Sequence, residues 1–185
     1  MKDEPGRISG SRIWQHRFLD VQLDRVRYPD GSEGDQVLIH HPGASAVVPF
    51  LSDPAGEDPQ ILLIHQYRYA TGGKLWEIPA GMLEPGEAPM DCARRELLEE
   101  TGCTCERLDP LTSMWTTPGF TDEKIHLFRA IGLTQGKTAW EADEFIEVVP
   151  LPMSRVLRMI HGGEITDAKT LVGILFAAGF DDVPK

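Results

Sequence analysis

Apolar and polar residues change rhythm several times along the 185-residue chain. In FLDVQLDRVRY they alternate, Pro29-Asp30-Gly31 supplies turn chemistry, and QVLIHH resumes the apolar positions. Residues 17–39 are therefore predicted to form two strands around a turn. Residues 46–50 and 61–64 are short apolar runs on either side of the polar SDPAGEDPQ, a pattern that suits two buried strands joined by an exposed loop. From Pro89 onward the period becomes helical. Met90, Ala93 and Leu97 recur at i, i+3 and i+7, Pro89 suits the first helical position, and Gly102 suits the position just past the end. Further strands are expected at 125–131 and 145–149, and helices at about 154–160 and 168–178. Strands with helices between and after them predict an α+β layered sandwich with a mixed sheet.

Composition narrows the class. Apolar residues make up 41% and charged residues 25%, as in a globular protein of ordinary domain size that buries its own core. A formal net charge of −11 repels polyanions, so neither nucleic acid nor an anionic membrane is expected as a partner. No run of about 18 apolar residues is present to span a bilayer. The first residues lack the apolar stretch of a secretory signal. Cys92, Cys103 and Cys105 lack paired C-x-x-C spacing, so a reduced, cytoplasmic chain is expected.

Chemistry concentrates in GMLEPGEAPMDCARRELLEETGC, Gly81 to Cys103. Glu96, Glu99 and Glu100 stand at i, i+3 and i+4 and share one face of the predicted helix. Like charges at that spacing cost an isolated helix a few tenths of a kcal/mol per pair. Such a face either meets water and pairs with Arg94 or Arg95, or surrounds a cation. The preceding loop, with two glycines, two prolines and Glu87, has the composition to fold back and bring another carboxylate and backbone carbonyls beside the helix. Oxygen ligands of this kind suit Mg²⁺ or Mn²⁺.

These positions resemble the signature of the Nudix hydrolases, G-x5-E-x7-R-E-U-x-E-E-x-G-U with U aliphatic. Gly81, Glu87, Arg95, Glu96, Leu97, Glu99, Glu100 and Gly102 match in register, and Cys103 replaces the last aliphatic residue. HQYR at 65–68, WEIPAG at 76–81, TPGFTD at 117–122, DEFIEV at 143–148 and the late ITDAKTL are similar to the ADP-ribose pyrophosphatase branch, as is Pro118, 16 residues past Gly102. These outer motifs are shared with enzymes that cleave GDP-mannose and other nucleotide sugars.

The resemblance implies a Nudix-type α/β/α sandwich over residues 42–185, with residues 1–41 as N-terminal strands in an antiparallel hairpin extension. It implies Mg²⁺-dependent hydrolysis, with Mn²⁺ able to substitute, of ADP-ribose or a similar nucleoside diphosphate sugar to AMP and a sugar phosphate. Glu96, Glu100 and the Ala80 carbonyl would bind metal, and Glu99 would complete the shell or hold metal-bound water. Arg95 would hold Glu87 by a bidentate pair. Arg68 would contact a phosphate and Met82 would line the pocket. The general base is expected from the acidic run WEADE, with Glu144 first and Glu141 second. In this branch the N-terminal strands swap across a two-fold axis, so a homodimer is expected, and Trp14, Phe18, Val21 and Leu23 give that segment an apolar face. Trp14 and Trp76 are read as core or interface rather than base-stacking residues, and Cys92 as a buried, inert thiol. The alternatives are a GDP-mannose or other nucleotide-sugar pyrophosphatase and, in another class, an ADP-ribose-sensing regulatory module. The retained box carboxylates and the charge of −11 disfavour the module.

Overall fold

The computed structural model describes residues 4–136 and 145–179. They divide into two units: the chain up to Gly43 together with Trp115–Lys124, and Ala44–Met114 together with the chain from Ile125.

The larger unit contains β4 (Ala44–Pro49), β5 (Gln60–Arg68), β6 (Gly73–Glu77), β7 (Ala80–Met82) and α1 (Pro89–Thr101). Most of β8 (Cys103–Trp115) and β9 (Lys124–Gln135) also belong to it, followed by β10 (Ile146–Pro152), α2 (Met153–His161) and α3 (Ala168–Ala177). Four strands form a mixed sheet in the order β7-β4-β9-β8, with β4 parallel to β9 and antiparallel to β7. Three more pair antiparallel as β10-β5-β6.

Successive side chains of a strand face opposite ways, and here the two ways are two apolar clusters. Val47, Leu62, Phe128 and Ala130 join Ala93 and Leu97 of α1. Ala46, Val48, Ile61, Leu63 and Leu127 join Val156 and Met159 of α2 and Ile174 of α3. Helices thus cover both faces, the expected α/β/α arrangement. Leu97 is fully buried, and truncating such a side chain to alanine costs roughly 2–5 kcal/mol. On the other face α3 lies close over the strands because residue 173 is glycine. A Cβ there would stand 3.0 Å from Ile78 Cδ1 and 3.2 Å from Val48 Cγ2.

The smaller unit carries three antiparallel strands in the order β1-β2-β3 (Gly6–His16, Leu19–Arg27, Glu33–His40), one more than the expected hairpin. Pairing of β1 with β2 shifts register between Arg7 and Ser9 and again between Arg12 and Trp14. Each shift breaks the two-residue alternation by which a strand is read. The β1–β2 connection, Arg17-Phe18, also lacks the usual Gly, Asn or Asp, and Arg17 adopts φ +50°. The β2–β3 turn follows its sequence, with Asp30 Oδ1 accepting from Ser32 N at 2.9 Å and Ser32 Oγ at 2.6 Å. Residues 115–124 join through β3: Ile39 N donates to Phe120 O at 2.8 Å and Thr121 Oγ1 donates to Ile39 O at 2.9 Å.

Strand β8 has no apolar alternation either, and it contains Pro110. It lies at the edge of its sheet, where a missing backbone donor is tolerated.

Candidate active site

Helix α1 begins at Pro89 and ends where Gly102, at φ +73°, donates its N–H to Leu98 O. This places Ala93 and Leu97 in the core, and it also buries two of the acids, with Glu96 7% and Glu100 2% exposed. Buried carboxylates require donors or cations, and here these come from the backbone of β7 and from the Arg95 guanidinium. Ala80 N donates to Glu100 Oε2 at 2.8 Å. The Glu96 carboxylate lies directly against Gly81, in the volume that a Cβ at that residue would take. The two buried acids thus meet the backbone at consecutive residues.

Arg95 ties the outer acids together. Its Nε and Nη2 each donate at 2.9 Å to the two oxygens of Glu87, the expected bidentate pair. Its Nη1 reaches Glu96 Oε1 at 2.5 Å and Glu99 Oε2 at 3.1 Å, and Nη2 also reaches Met82 O at 2.9 Å. One guanidinium therefore serves three carboxylates. Glu87 also accepts from Glu84 N at 2.9 Å. The bonds from Arg95, opposed by some desolvation, hold the Glu87 carboxyl down at about 2. Cys92 is buried as expected, its Sγ 3.5 Å from Gly81 O and Met82 O, and burial pushes the thiol up to about 11.

Arg68, at the end of β5, donates through Nε and Nη2 to the two oxygens of Glu77, at 2.8 and 2.9 Å. Glu77 is 1% exposed and also accepts from Lys169 Nζ. Burial pushes the Glu77 carboxyl up, but Arg68 and Lys169 outweigh it and hold the group below the ordinary value. Trp76 stacks on His65, with ring centroids 4.3 Å apart and 12° between planes. Trp14 is half exposed. Glu141 and Glu144 lie outside the described residues.

The structure brings Ala80, Met82, Glu96, Glu99 and Glu100 to one end of α1 with the loop from Gly81 to Glu87. Among the described residues no three His, Cys, Asp or Glu side chains converge on a single point as metal ligands do, and Arg95 bonds Glu87, Glu96 and Glu99. The donor set nonetheless fits a hard cation: two buried carboxylates flank the Ala80-Gly81 backbone, a third stands one turn away, and all donors are oxygens. Glu77 and Lys169 had no role in the sequence reading. Each stood inside a quoted motif, WEIPAG and ITDAKTL, with nothing local to reveal that they pair.

Helices on both faces of a mixed sheet define an α/β/α fold, with the carboxylates of one helix gathered beside the glycine-bearing segment that precedes it. The chain belongs to the Nudix family: the NUDIX domain model matches residues 41–170. It is a Nudix hydrolase, a type of enzyme that generally works with divalent metal ions. It is 37% identical over 171 residues to a methanol dehydrogenase activator of Bacillus methanolicus, covering 91% of this chain and 90% of that one. It is 34% identical over 171 residues to an ADP-ribose pyrophosphatase of Bacillus subtilis (strain 168), with the same coverage. The crystal structure of an ADP compounds hydrolase superposes with a TM-score of 0.82 over 97% of this chain and 95% of that chain, at 18% identity, a likeness of fold. No helix among the described residues is long and apolar enough to cross a membrane.

Proposed function

We propose that this enzyme hydrolyses the diphosphate bond of ADP-ribose, or of a similar nucleoside diphosphate sugar, to AMP or another nucleoside monophosphate and a sugar phosphate, with Mg²⁺ as cofactor and Mn²⁺ able to replace it. The observation that carries this reading is the pair of buried carboxylates, Glu96 on Gly81 and Glu100 on the Ala80 N–H. Burying a carboxylate is costly unless donors or a cation stand beside it, and a divalent cation held between these two would offset that cost. The likeness to an ADP-ribose pyrophosphatase over most of both chains supports the substrate class.

In this reading Glu96, Glu100 and the Ala80 carbonyl hold the metal, with Glu99 completing the shell or holding its water. A divalent cation bound there neutralises diphosphate charge, polarises phosphorus and lowers the pKa of water. Arg95 restrains the acids when no cation is present and keeps Glu87 fixed. Arg68 binds a phosphate oxygen and Met82, 37% exposed, lines the pocket. Glu144, with Glu141 as second choice, takes the proton of the attacking water. A base outside the helix leaves the box acids committed to metal.

The same reading includes a homodimer with swapped N-terminal strands, residues 1–41 forming the dimerisation arm. It is supported by exposed Ile13, Trp14, Leu23 and Val37, since a small sheet with an apolar face gains stability from a partner. A cytoplasmic location is supported by three free cysteines, two of them buried.

The test is hydrolysis of a panel of nucleotide sugars, including ADP-ribose and GDP-mannose, with Mg²⁺ and with chelator, and with identification of products. Mg²⁺-dependent release of AMP from ADP-ribose is expected. Preference for GDP-mannose would move the substrate assignment, and binding of ADP-ribose without cleavage would make the chain a sensing module.

A further inference from the structure

The motif ITDAKTL has no part in the chemistry above, yet it holds a buried network of polar groups. Asp167 caps α3. Its Oδ2 accepts from Thr170 N at 3.0 Å and from Thr170 Oγ1 at 2.6 Å, and it pairs with Lys169 Nζ at 3.0 Å. Thr170 is fully buried, and its Oγ1 in turn accepts from Ile78 N at 2.9 Å. Lys169 Nζ also donates to Glu77 Oε2. Residues 167–170 thus grip both Glu77 and Ile78, at the root of the strap that leads through Pro79 to Ala80 and Gly81.

Glu77 receives three charged donors, two from Arg68 and one from Lys169. Both Glu77 oxygens are engaged, and the guanidinium is fixed in a plane by a bidentate pair. Nε and Nη2 of Arg68 are used, and Nη1 makes no hydrogen bond among the described residues. The Lys169 side chain is only 12% exposed, so its charge acts on Glu77 with little screening by solvent. Without it, Glu77 would face Arg68 alone, as a dry carboxylate short of one donor.

We propose that Lys169 is a positioning residue for phosphate recognition: by sharing Glu77 it fixes the Arg68 guanidinium with Nη1 left to receive an oxygen of the diphosphate. This rests on the reading of Arg68 as a phosphate-binding residue. Asp167 takes part at one remove, by holding the ammonium on the Glu77 side. Sign alternates along the chain of ion pairs from Asp167 through Lys169 and Glu77 to Arg68, and a phosphate oxygen on Arg68 would continue that alternation.

The experiment compares Lys169→Gln, Lys169→Arg, Arg68→Gln and the double variant Arg68→Gln/Lys169→Gln. It measures KM and kcat for ADP-ribose, calorimetric binding of α,β-methylene-ADP, which has no hydrolysable bridge, and Mn²⁺ affinity by electron paramagnetic resonance. Loss of one charge-assisted hydrogen bond corresponds to about tenfold in binding, so Lys169→Gln is expected to raise KM and the dissociation constant of the analogue by about that factor. Mn²⁺ affinity stays unchanged, Lys169→Arg recovers most of the loss, and the double variant is no worse than Arg68→Gln alone. Unchanged analogue binding by folded Lys169→Gln protein, where the single variant Arg68→Gln binds poorly, overturns the inference. Additive losses, or weaker Mn²⁺ binding, also overturn it, because Lys169 would then act on the strap as a whole. Unchanged binding in Arg68→Gln instead removes the reading of Arg68 beneath it. If Lys169→Gln does not fold, Asp167→Asn keeps the helix cap and removes the charge that holds the ammonium. A smaller rise in KM, with Mn²⁺ affinity intact, is expected there, and none overturns the inference.

Discussion

The carboxylate of Glu96 occupies the volume that any side chain at residue 81 would need. Gly81 is not among the glycines with positive φ, so its backbone is open to other residues and only the space is reserved. Gly81→Ala should therefore displace Glu96 without straining the loop. Misplacement of a site residue by about 1 Å costs on the order of a hundredfold in rate, and that loss is expected in kcat. Thermal melting should show only the roughly 1–3 kcal/mol of an overpacked site. A variant with full turnover would show that Glu96 works from another position.

Glu100→Gln keeps an acceptor for the Ala80 N–H while removing a charge. Turnover is expected to fall on the order of a thousandfold, with the melting temperature nearly unchanged and Mn²⁺ bound more weakly. Wild-type enzyme in chelator should be inactive and recover on addition of Mg²⁺. Full activity of either would remove the metal role.

Glu87, held at about 2 by Arg95, has a folded pKa below its unfolded one. Its contribution to stability is thus complete above the ordinary carboxyl value near 4.5, and is lost as pH falls through that value towards about 2. Melting temperatures recorded from pH 5 down to pH 2 should fall more steeply for wild type than for Glu87→Gln. Parallel curves would mean that the Arg95–Glu87 pair is equally available in the unfolded chain.

The proposed base should separate rate from metal binding. Glu144→Gln is expected to lower kcat by about a hundredfold or more with Mn²⁺ affinity intact, while Glu141→Gln has a small effect. The reverse pattern would move the role to Glu141.

Dimerisation through the N-terminal strands predicts that light scattering of the full chain gives twice the monomer mass. Ile13→Glu/Trp14→Glu, at two exposed apolar positions of β1, should shift the protein to monomer and raise KM for ADP-ribose. A monomeric wild type would refute the arm as an interface.

Helix α1 and the placing of its carboxylates were legible in the sequence because both depend on short-range regularities. Leu97 and Ala93 recur with the helical period, Pro89 and Gly102 mark the ends, and the spacing of Glu96, Glu99 and Glu100 puts them on one face of any helix. The buried strands β4 and β5 were equally plain, since a short apolar run between turn residues has few other uses. Strands β1 and β8 were not, because two register shifts and Pro110 erase the alternation that marks a strand, and only pairing with neighbours makes them strands at all. The same holds for the site. That Glu96 lies on Gly81 and that Glu77 is shared by Arg68 and by Lys169, 92 residues further along the chain, was decided by the packing of separate elements against one another. A charged side chain carries no local mark of the partner that will neutralise it. What fixes the partner is the cost of burying the charge, and that arises only when the fold closes around it.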